Sequence, residues 1–305
     1  MVLQPNTSLN TIHHRSRLNQ ITPLQVLNHV LIAFFAVVCI LPMVLVLMVS
    51  FTSDAAIKLN GYQLIPQELS VSAYKMIFSP RSSIVPAYGV SLTVTFVGTL
   101  VAVAITGMAA FTLSNKSVQY RNALAFFFFI PMIFNAGLVP WYMICRALGL
   151  RNNLLALIVP SLLFSAYNMY LCRNFMNGIP DSFMESAKLD GASDAHIAFR
   201  IYFPLSKPVL AAVALFYGVA YWNDWFNAIM LVDNNELYPL QYMLYQIRSQ
   251  IAALQRLQPD VPVDDLPGES LKMATAIVTI GPIVFLYPYL QKYFVRGLII
   301  GGIKG

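Results

Sequence analysis

A run of aromatic, amide and carboxyl side chains interrupts an otherwise apolar stretch near residue 220. Aromatic faces stack on the CH surfaces of sugars, while amides and carboxylates form hydrogen bonds with hydroxyl groups. Together in one stretch, these side chains could contact a ligand that carries hydroxyl groups and CH surfaces. The residues of this candidate substrate pathway are Tyr217, Tyr221, Trp222, Asn223, Asp224 and Trp225.

Asp224 is the only ionisable residue well inside any stretch long and apolar enough to cross a membrane. A carboxylate is costly in hydrocarbon, so Asp224 should face a cavity or a partner. Tyr217, Tyr221 and Asp224 are spaced i, i+4 and i+7, which predicts that one helix face lines the pathway. The alternative places Asp224 at the outer membrane interface, with Trp222 and Trp225 in an aromatic belt.

Motifs for catalysis and metal binding are absent from the sequence. It has no G-x-x-x-x-G-K-[ST] phosphate loop, no H-E-x-x-H zinc motif and no pair of carboxylates inside the apolar stretches. Cys39, Cys145 and Cys172 lack the spacing of metal ligands, so we expect them to be buried as small apolar side chains. We predict no catalytic residue, no metal site and no cofactor bound by this chain.

The composition places the chain in a membrane. Of its 305 residues, 58% are hydrophobic and only 10% are charged, whereas soluble domains carry roughly 25% charged residues. The net charge of +6 is not gathered into one patch with interleaved aromatics, which argues against nucleic-acid binding. We therefore predict an all-α integral membrane protein.

Six stretches are long enough for a helix to cross a bilayer, which takes about 20 residues. Prolines interrupt several of them, so these helices should pack as a bundle in which neighbours satisfy the freed backbone groups. The predicted spans, numbered one to six, are Val30–Phe51, Val85–Leu113, Ala123–Val139, Leu154–Cys172, Val209–Val232 and Met273–Tyr289.

The distribution of Lys and Arg predicts the orientation. With the N-terminus inside, eleven of the 19 basic residues fall on the inner side, in the direction that the positive-inside rule expects. Both ends are then cytoplasmic: a tail over residues 1–28, the six-span domain over 29–297 and a second tail over 298–305. The outer loop after span five begins with an apolar stripe from Leu240 to Leu254, which predicts a helix that lies on the membrane or carries an extracellular partner.

A polar segment, residues 182–205, connects spans four and five on the predicted cytoplasmic side, and we call it the elbow. Ser182 and Glu185 have the spacing of a capping box that would begin a short helix. Gly191 can adopt the positive φ that ends this helix, and Ser193 could cap a second one. From these residues alone, the elbow could fold back on the bundle or insert into a groove of a soluble partner.

The elbow resembles the signature of ABC-importer permeases, which reads E-A-A, three residues, G, nine residues and I-x-L-P. The segment "ESAKLDGASDAHIAFRIYFPL" departs from that pattern only at Ser186, where Ala is usual, and at Phe203, where Leu is usual. By this resemblance the loop over residues 179–205 couples the chain to an ATPase. The coupling residues that it implies are Glu185, Ala187, Asp190, Gly191, Ala192, Ile201 and Pro204.

Other stretches, including "YWNDWFNAIMLV" and the closing "YPYLQKYFVRGLIIGGIKG", are similar to permeases that serve oligosaccharides or polysaccharide fragments. The resemblance implies the type I importer fold in the cytoplasmic membrane of a bacterium. The implied partners are a second, homologous permease forming a heterodimer, two ATPase subunits that bind ATP with magnesium, an extracytoplasmic solute-binding protein, the carbohydrate and membrane lipid.

Two alternatives belong to other functional classes. A secondary transporter driven by an ion gradient would need coordinating groups near the midplane, usually in paired halves. One intramembrane Asp and no visible repeat argue against it. A membrane-embedded enzyme would need a group of catalytic residues, and none can be placed.

Overall fold

The computed structural model describes residues 23–79, 82–160, 162–257 and 268–284. This part of the chain is almost entirely helical, and the one extended pairing within it is an isolated bridge between Thr52 and Leu69. The all-α prediction is therefore confirmed. The C-terminal tail and the end of span six, residues 285–289, lie outside the described residues.

The described helices differ widely in length, from a single turn to 31 residues. In chain order they are α1 Pro23–Ser50, α2 Asp54–Asn60, α3 Ser72–Ile77, α4 Ile84–Ser114, α5 Arg121–Ile133, α6 Leu138–Ala147, α7 Leu155–Ile158, α8 Ala166–Met176, α9 Ser182–Leu189, α10 Asp194–Ile197, a π-helix Ala198–Tyr202, α11 Phe203–Leu205, α12 Lys207–Trp222, α13 Phe226–Leu231, a 3₁₀ turn Asn235–Leu237, α14 Leu240–Leu257 and α15 over residues 269–284.

Two of these helices, α1 and α4, are each long and apolar enough to cross a membrane without interruption. They coincide with predicted spans one and two. Two bent pairs reach the same length and composition, which brings the possible spans in the described chain to four. The count of six and the inward position of both ends remain predictions.

The chain divides after Leu45 into two units. The described part of the first unit is the amino-terminal portion of α1, whose apolar side chains are exposed, Cys39 among them. The expected burial of Cys39 is therefore wrong, whereas Cys145 and Cys172 are buried.

The second unit is organised around α4, which packs against α8 and α12. One face of α4 carries small side chains that let these neighbours approach closely. The Tyr221 ring of α12 lies directly on Gly98, and the Phe203 ring of α11 lies on Gly107. The residues of this face, spaced four or seven positions apart, are Ala87, Ser91, Gly98, Ala102, Thr106 and Ala110.

Span three is not the continuous helix that its hydrophobicity predicts. The helix α5 ends at Ile133 and the following α6 is turned by 119°. The turn forms because Asn135 Oδ1 accepts the Gly137 amide at 2.8 Å and Gly137 adopts a φ of +87°. The short helix α6 ends before Gly149, which has a φ of +70°.

Spans four and five are also broken where continuous helices were predicted. Span four contains α7 and α8, which are separated around Pro160, and the second of these begins where Ser165 Oγ accepts the Asn168 amide. Span five contains α12 and α13, separated at residues 223–225. Hydropathy averages over such breaks because their flanks remain apolar, so the hydropathy pattern did not reveal them, although Pro160 marks the break in span four.

Candidate functional site

The elbow has the two short helices that its sequence predicts, with a glycine between them. The first is α9, and Gly191 follows it with a φ of +79°, a conformation that residues with a Cβ rarely adopt. The second begins at α10, where Ser193 Oγ accepts the His196 amide at 3.3 Å, as expected. It continues through the π-helix into α11.

The predicted capping box does not form. Asp181 is the first cap residue of α9, because its carbonyl oxygen already accepts the Glu185 amide at 3.0 Å. Ser182 therefore lies within the first helical turn, where its hydroxyl cannot act as the cap, and no side chain caps this helix.

One face of the elbow rests on the protein and the other is exposed. Ala187 and Ile197 are buried, whereas Leu189 is 90% exposed and Phe199 is 56% exposed. Folding back on the bundle and binding a partner are therefore compatible, because the buried face contacts the protein and the other face remains exposed. Of the remaining implied coupling residues, Glu185, Asp190, Gly191 and Pro204 are exposed, and Ala192 and Ile201 are half-buried.

Lysines attach the elbow to the connection between α4 and α5. Lys188 Nζ donates to Ser117 Oγ at 3.2 Å and lies 3.7 Å from the Asp194 carboxylate, which links the two elbow helices. Lys116 pairs with Asp181 at the start of α9. Because these contacts join the elbow to the end of α4, movement of the elbow would be transmitted to the central helix of the unit.

Three residues of the predicted substrate pathway lie inside the protein. Tyr217 and Tyr221 are each 2% exposed, and Trp222 is buried. Tyr217 Oη bonds with Thr106 Oγ1 at 2.7 Å and accepts the Ser165 amide at 2.9 Å.

The hydroxyl of Tyr221 donates to the Ile158 carbonyl at 2.9 Å, and the indole of Trp222 donates to the Thr279 carbonyl at 3.1 Å. Ser165 and Ile158 border the break between α7 and α8. These hydrogen bonds therefore hold one broken helix against another.

The other three pathway residues lie at the break between α12 and α13. Asp224 Oδ1 accepts the amides of Phe226 at 3.1 Å and Asn227 at 3.3 Å, and so caps α13. The predicted common face of Tyr217, Tyr221 and Asp224 is wrong, because α12 ends at Trp222 before it reaches Asp224.

Two residues of α14 contact this break, and neither was predicted from the sequence. Gln241 Nε2 donates to Asn223 Oδ1 at 3.1 Å. The Tyr245 ring stacks on Trp225 with centroids 4.7 Å apart and planes within 9° of parallel. Gln241 and Tyr245 are spaced i, i+4 beside the apolar stripe of α14, which was the available signal.

A further aromatic side chain comes from α6. The Trp141 ring lies 5.5 Å from that of Phe226, which places α6 beside the start of α13. The break therefore carries stacked aromatic rings, amides and one carboxylate, with Trp225 and Tyr245 each roughly two-fifths exposed. This is the set of groups that binds sugars. Within the described residues, no group of three His, Cys, Asp or Glu could hold a metal ion.

On the predicted outer side, the loop that contains α2 is fastened to the start of α15. Asp54 Oδ1 accepts the Ser270 amide at 2.9 Å, and the Tyr62 hydroxyl donates to Glu269 Oε2 at 2.9 Å. Burial alone would raise the pKa of Glu269, but hydrogen bonds from Lys272 and Tyr62 and the charge of Lys272 hold it below its usual value.

The chain is similar to known proteins over almost its whole length. The family described as binding-protein-dependent transport system inner membrane component matches residues 21–300. The polygalacturonan/rhamnogalacturonan transport system permease protein YtcP of Bacillus subtilis is 35% identical over 272 residues, covering 89% of this chain and 94% of that protein.

A second relative is the arabinooligosaccharides transport system permease protein AraQ of Halalkalibacterium halodurans. It is 26% identical over 280 residues, which cover 90% of this chain and 94% of that protein. Among solved structures, one chain of a bacterial ABC transporter involved in the import of the acidic polysaccharide alginate has a TM-score of 0.78. It is 28% identical, and the match covers 89% of this chain and 96% of that chain.

Proposed function

We propose that this chain, which belongs to the family of binding-protein-dependent transport inner membrane components, carries an oligosaccharide or polysaccharide fragment. As a member of that family, it is a permease of an ABC importer in the bacterial cytoplasmic membrane and not an enzyme. In this proposal, separate ATPase subunits drive the permease between outward- and inward-facing states. The observation that carries the proposal is the exposed, glycine-hinged elbow.

The elbow has the properties that a mechanical coupling element needs. Its exposed apolar side chains, among them Leu189 and Phe199, form a surface that would pack into a groove of a soluble partner. Its buried side and the Lys188–Ser117 hydrogen bond connect that surface to α4. A partner that moved the elbow would therefore displace the helix around which the unit is packed.

The family works with ATPase subunits and a solute-binding protein. We propose the full assembly to be this permease, a second homologous permease, two ATPase subunits that bind ATP with magnesium, and an extracytoplasmic solute-binding protein. The chain has no phosphate loop of its own, which supports ATP hydrolysis by separate subunits.

For the substrate, we propose a path past the break between α12 and α13. Asn223, Asp224 and Trp225 would contact the sugar there. The path would be supported, without contact to the sugar, by the buried side chains of Tyr217, Tyr221 and Trp222. These side chains form hydrogen bonds with backbone carbonyls or amides of neighbouring helices. A carbohydrate substrate agrees with the names of the relatives, which concern polygalacturonan, rhamnogalacturonan and arabinooligosaccharides.

The proposal is tested by reversing the charge at the exposed Glu185 of the elbow. The permease is purified with its companions, reconstituted in proteoliposomes and assayed for sugar uptake stimulated by binding protein and ATP. Glu185→Arg should abolish uptake and release the ATPase subunits, while the permease remains folded and inserted. Glu236→Arg is the matched control, since Glu236 is an exposed carboxylate on the predicted outer side.

Unchanged uptake in Glu185→Arg would contradict the coupling role of the elbow. Uptake by the permease alone on a proton gradient, without ATP, would instead support the secondary-transporter alternative.

A further inference from the structure

We propose that a small polar cavity beside the elbow binds a phosphate group, either as the headgroup of an anionic lipid or as the free anion. The cavity has a volume of about 190 Å³, which equals the share of about six liquid water molecules. It is therefore large enough for a phosphate with part of its hydration. The site is separate from the candidate sugar site and goes beyond the proposed transport function.

The cavity lies where the ends of several helices meet. Ser114 comes from the end of α4, Arg121 from the start of α5, and Arg173 from the last turn of α8. Asp181, just before the elbow, and Tyr202, within it, also line the cavity. The orientation predicted from Lys and Arg puts these helix ends on the cytoplasmic side, where the headgroups of the inner leaflet would be within reach.

Positive charge exceeds negative charge in the lining. Three basic residues, Lys116, Arg121 and Arg173, face one carboxylate, that of Asp181. Lys116 already pairs with that carboxylate. The two arginines are half-buried and have no carboxylate partner among the described residues, so their charges are uncompensated where solvation is reduced.

Arg173 is held in a fixed position. Its Nε donates to the Leu113 carbonyl at 3.1 Å, and its guanidinium lies 5.9 Å from the centre of the Tyr170 ring. The terminal nitrogens of the guanidinium have no further hydrogen bond within the described chain. A planar guanidinium anchored through Nε presents its two remaining nitrogens as a fork that matches two phosphate oxygens.

The start of α5 supplies a second, independent feature that favours an anion. The helix has 13 residues, and no side chain caps the amides of its first turn. Its cap residue, Tyr120, has a φ of +62°. A basic residue at the positive end of a helix is unfavourable unless an anion is present. Arg121 occupies that position, so a phosphate would satisfy both the helix end and the arginine.

Membrane location favours the lipid source. Basic pockets between transmembrane helices on the cytoplasmic side bind anionic headgroups, because the inner leaflet concentrates them there. A phosphate in this cavity would tie α5 to α8 through Arg121 and Arg173. It would also attract Lys116, which pairs with Asp181 just before the elbow. Anionic lipid would then stabilise the helix ends that the elbow contacts.

The test uses the full-length permease, co-purified with its companions. In the first arm, the protein is placed in nanodiscs of phosphatidylcholine with phosphatidylglycerol, and the phosphatidylglycerol retained after release is counted by native mass spectrometry. In the second arm, inorganic phosphate is titrated into delipidated protein in detergent, and the midpoint of thermal unfolding is followed. Arg121→Gln and Arg173→Gln are compared with Arg200→Gln, an exposed arginine of the elbow that does not line the cavity.

We expect the wild type and Arg200→Gln to retain phosphatidylglycerol or to be stabilised by phosphate, and both cavity variants to bind at least about tenfold more weakly, since a charged hydrogen bond contributes roughly that factor. Arg121→Gln is the decisive variant, because Arg121 makes no hydrogen bond within the described chain whose loss could unfold the protein. Retention of lipid without a phosphate effect identifies the headgroup as the ligand, and the reverse identifies the free anion. Binding in neither arm, or wild-type binding by Arg121→Gln, would overturn the proposal.

Discussion

The ring of Tyr221 lies directly on the backbone of Gly98, so that a Cβ added to Gly98 would come within 2.6 Å of the Tyr221 Cζ atom. This contact joins the two most extensively packed helices, α4 and α12. It also positions the Tyr221 hydroxyl to bond with the Ile158 carbonyl at the end of α7. One glycine therefore sets the spacing of three helices behind the candidate sugar site.

Gly98→Ala should destabilise the permease by about 1–3 kcal/mol, because the added methyl group overpacks a tight contact. Thermal unfolding of the purified protein in detergent measures the change. Gly89→Ala is the matched control on the same helix, since nothing lies within 4 Å of the position of its Cβ. Equal unfolding midpoints for the two variants would show that the Tyr221 ring can move aside.

Substitutions of Asp224 should separate its cap from its charge. Asp224→Asn keeps an oxygen that can accept the Phe226 and Asn227 amides, so stability should be retained while sugar uptake falls. Asp224→Ala removes the cap as well and should reduce stability by about 1 kcal/mol. Uptake kinetics and unfolding midpoints are measured together. Full uptake by Asp224→Asn would mean that the carboxylate acts only as a cap.

Tyr245→Ala should raise the KM of sugar uptake, because it removes the ring that supports the exposed indole of Trp225. A lost aromatic stack contributes about 0.5–1.5 kcal/mol, or roughly two- to tenfold. Tyr245→Phe should behave as the wild type, since stacking needs the ring and not the hydroxyl. A wild-type KM for Tyr245→Ala would place the stack outside the sugar path.

The contact of Tyr62 and Lys272 with Glu269 should make stability depend on pH. The pKa of Glu269 is lowered in the folded protein by these two partners, against the opposing effect of burial. Its contribution is therefore present above the unfolded pKa of a glutamate, near 4.3, and is lost as the pH falls through the lower folded value.

Tyr62→Phe should lessen this acid-dependent loss, because one hydrogen bond to the carboxylate is removed. Unfolding midpoints at a series of acidic pH values measure the change. Tyr120→Phe is the control, as the Tyr120 side chain is largely exposed and makes no hydrogen bond within the described residues. Identical pH profiles for all three proteins would mean that Tyr62 does not influence Glu269.

The sequence was most informative where a feature depends on neighbouring residues. The elbow helices follow from local signals, since Gly191 supplies a positive φ and Ser193 supplies a cap. The stripe of α14 is local in the same way. These elements were predicted with bounds close to the observed ones, because backbone propensity and capping act within one or two turns.

The sequence was least informative at the breaks in spans three, four and five. A hydropathy window cannot detect a break whose flanks stay apolar, and Asp224 looked like a residue on a helix face when it is a cap after a helix end. The hydrogen bonds of the Tyr217 hydroxyl with Thr106 and Ser165 could not be predicted either, because these partners are 111 and 52 residues away in the sequence.

By itself, the sequence determined that this is a helical membrane protein with a polar, glycine-hinged elbow. Composition decides which stretches prefer the bilayer, and short-range spacing decides where the chain turns. Only the tertiary structure decided which aromatic residues are buried and which are offered to a ligand. That choice depends on long-range packing, in which Gly98 admits Tyr221 into the interior while the break after Trp222 leaves Trp225 at the surface beside Tyr245.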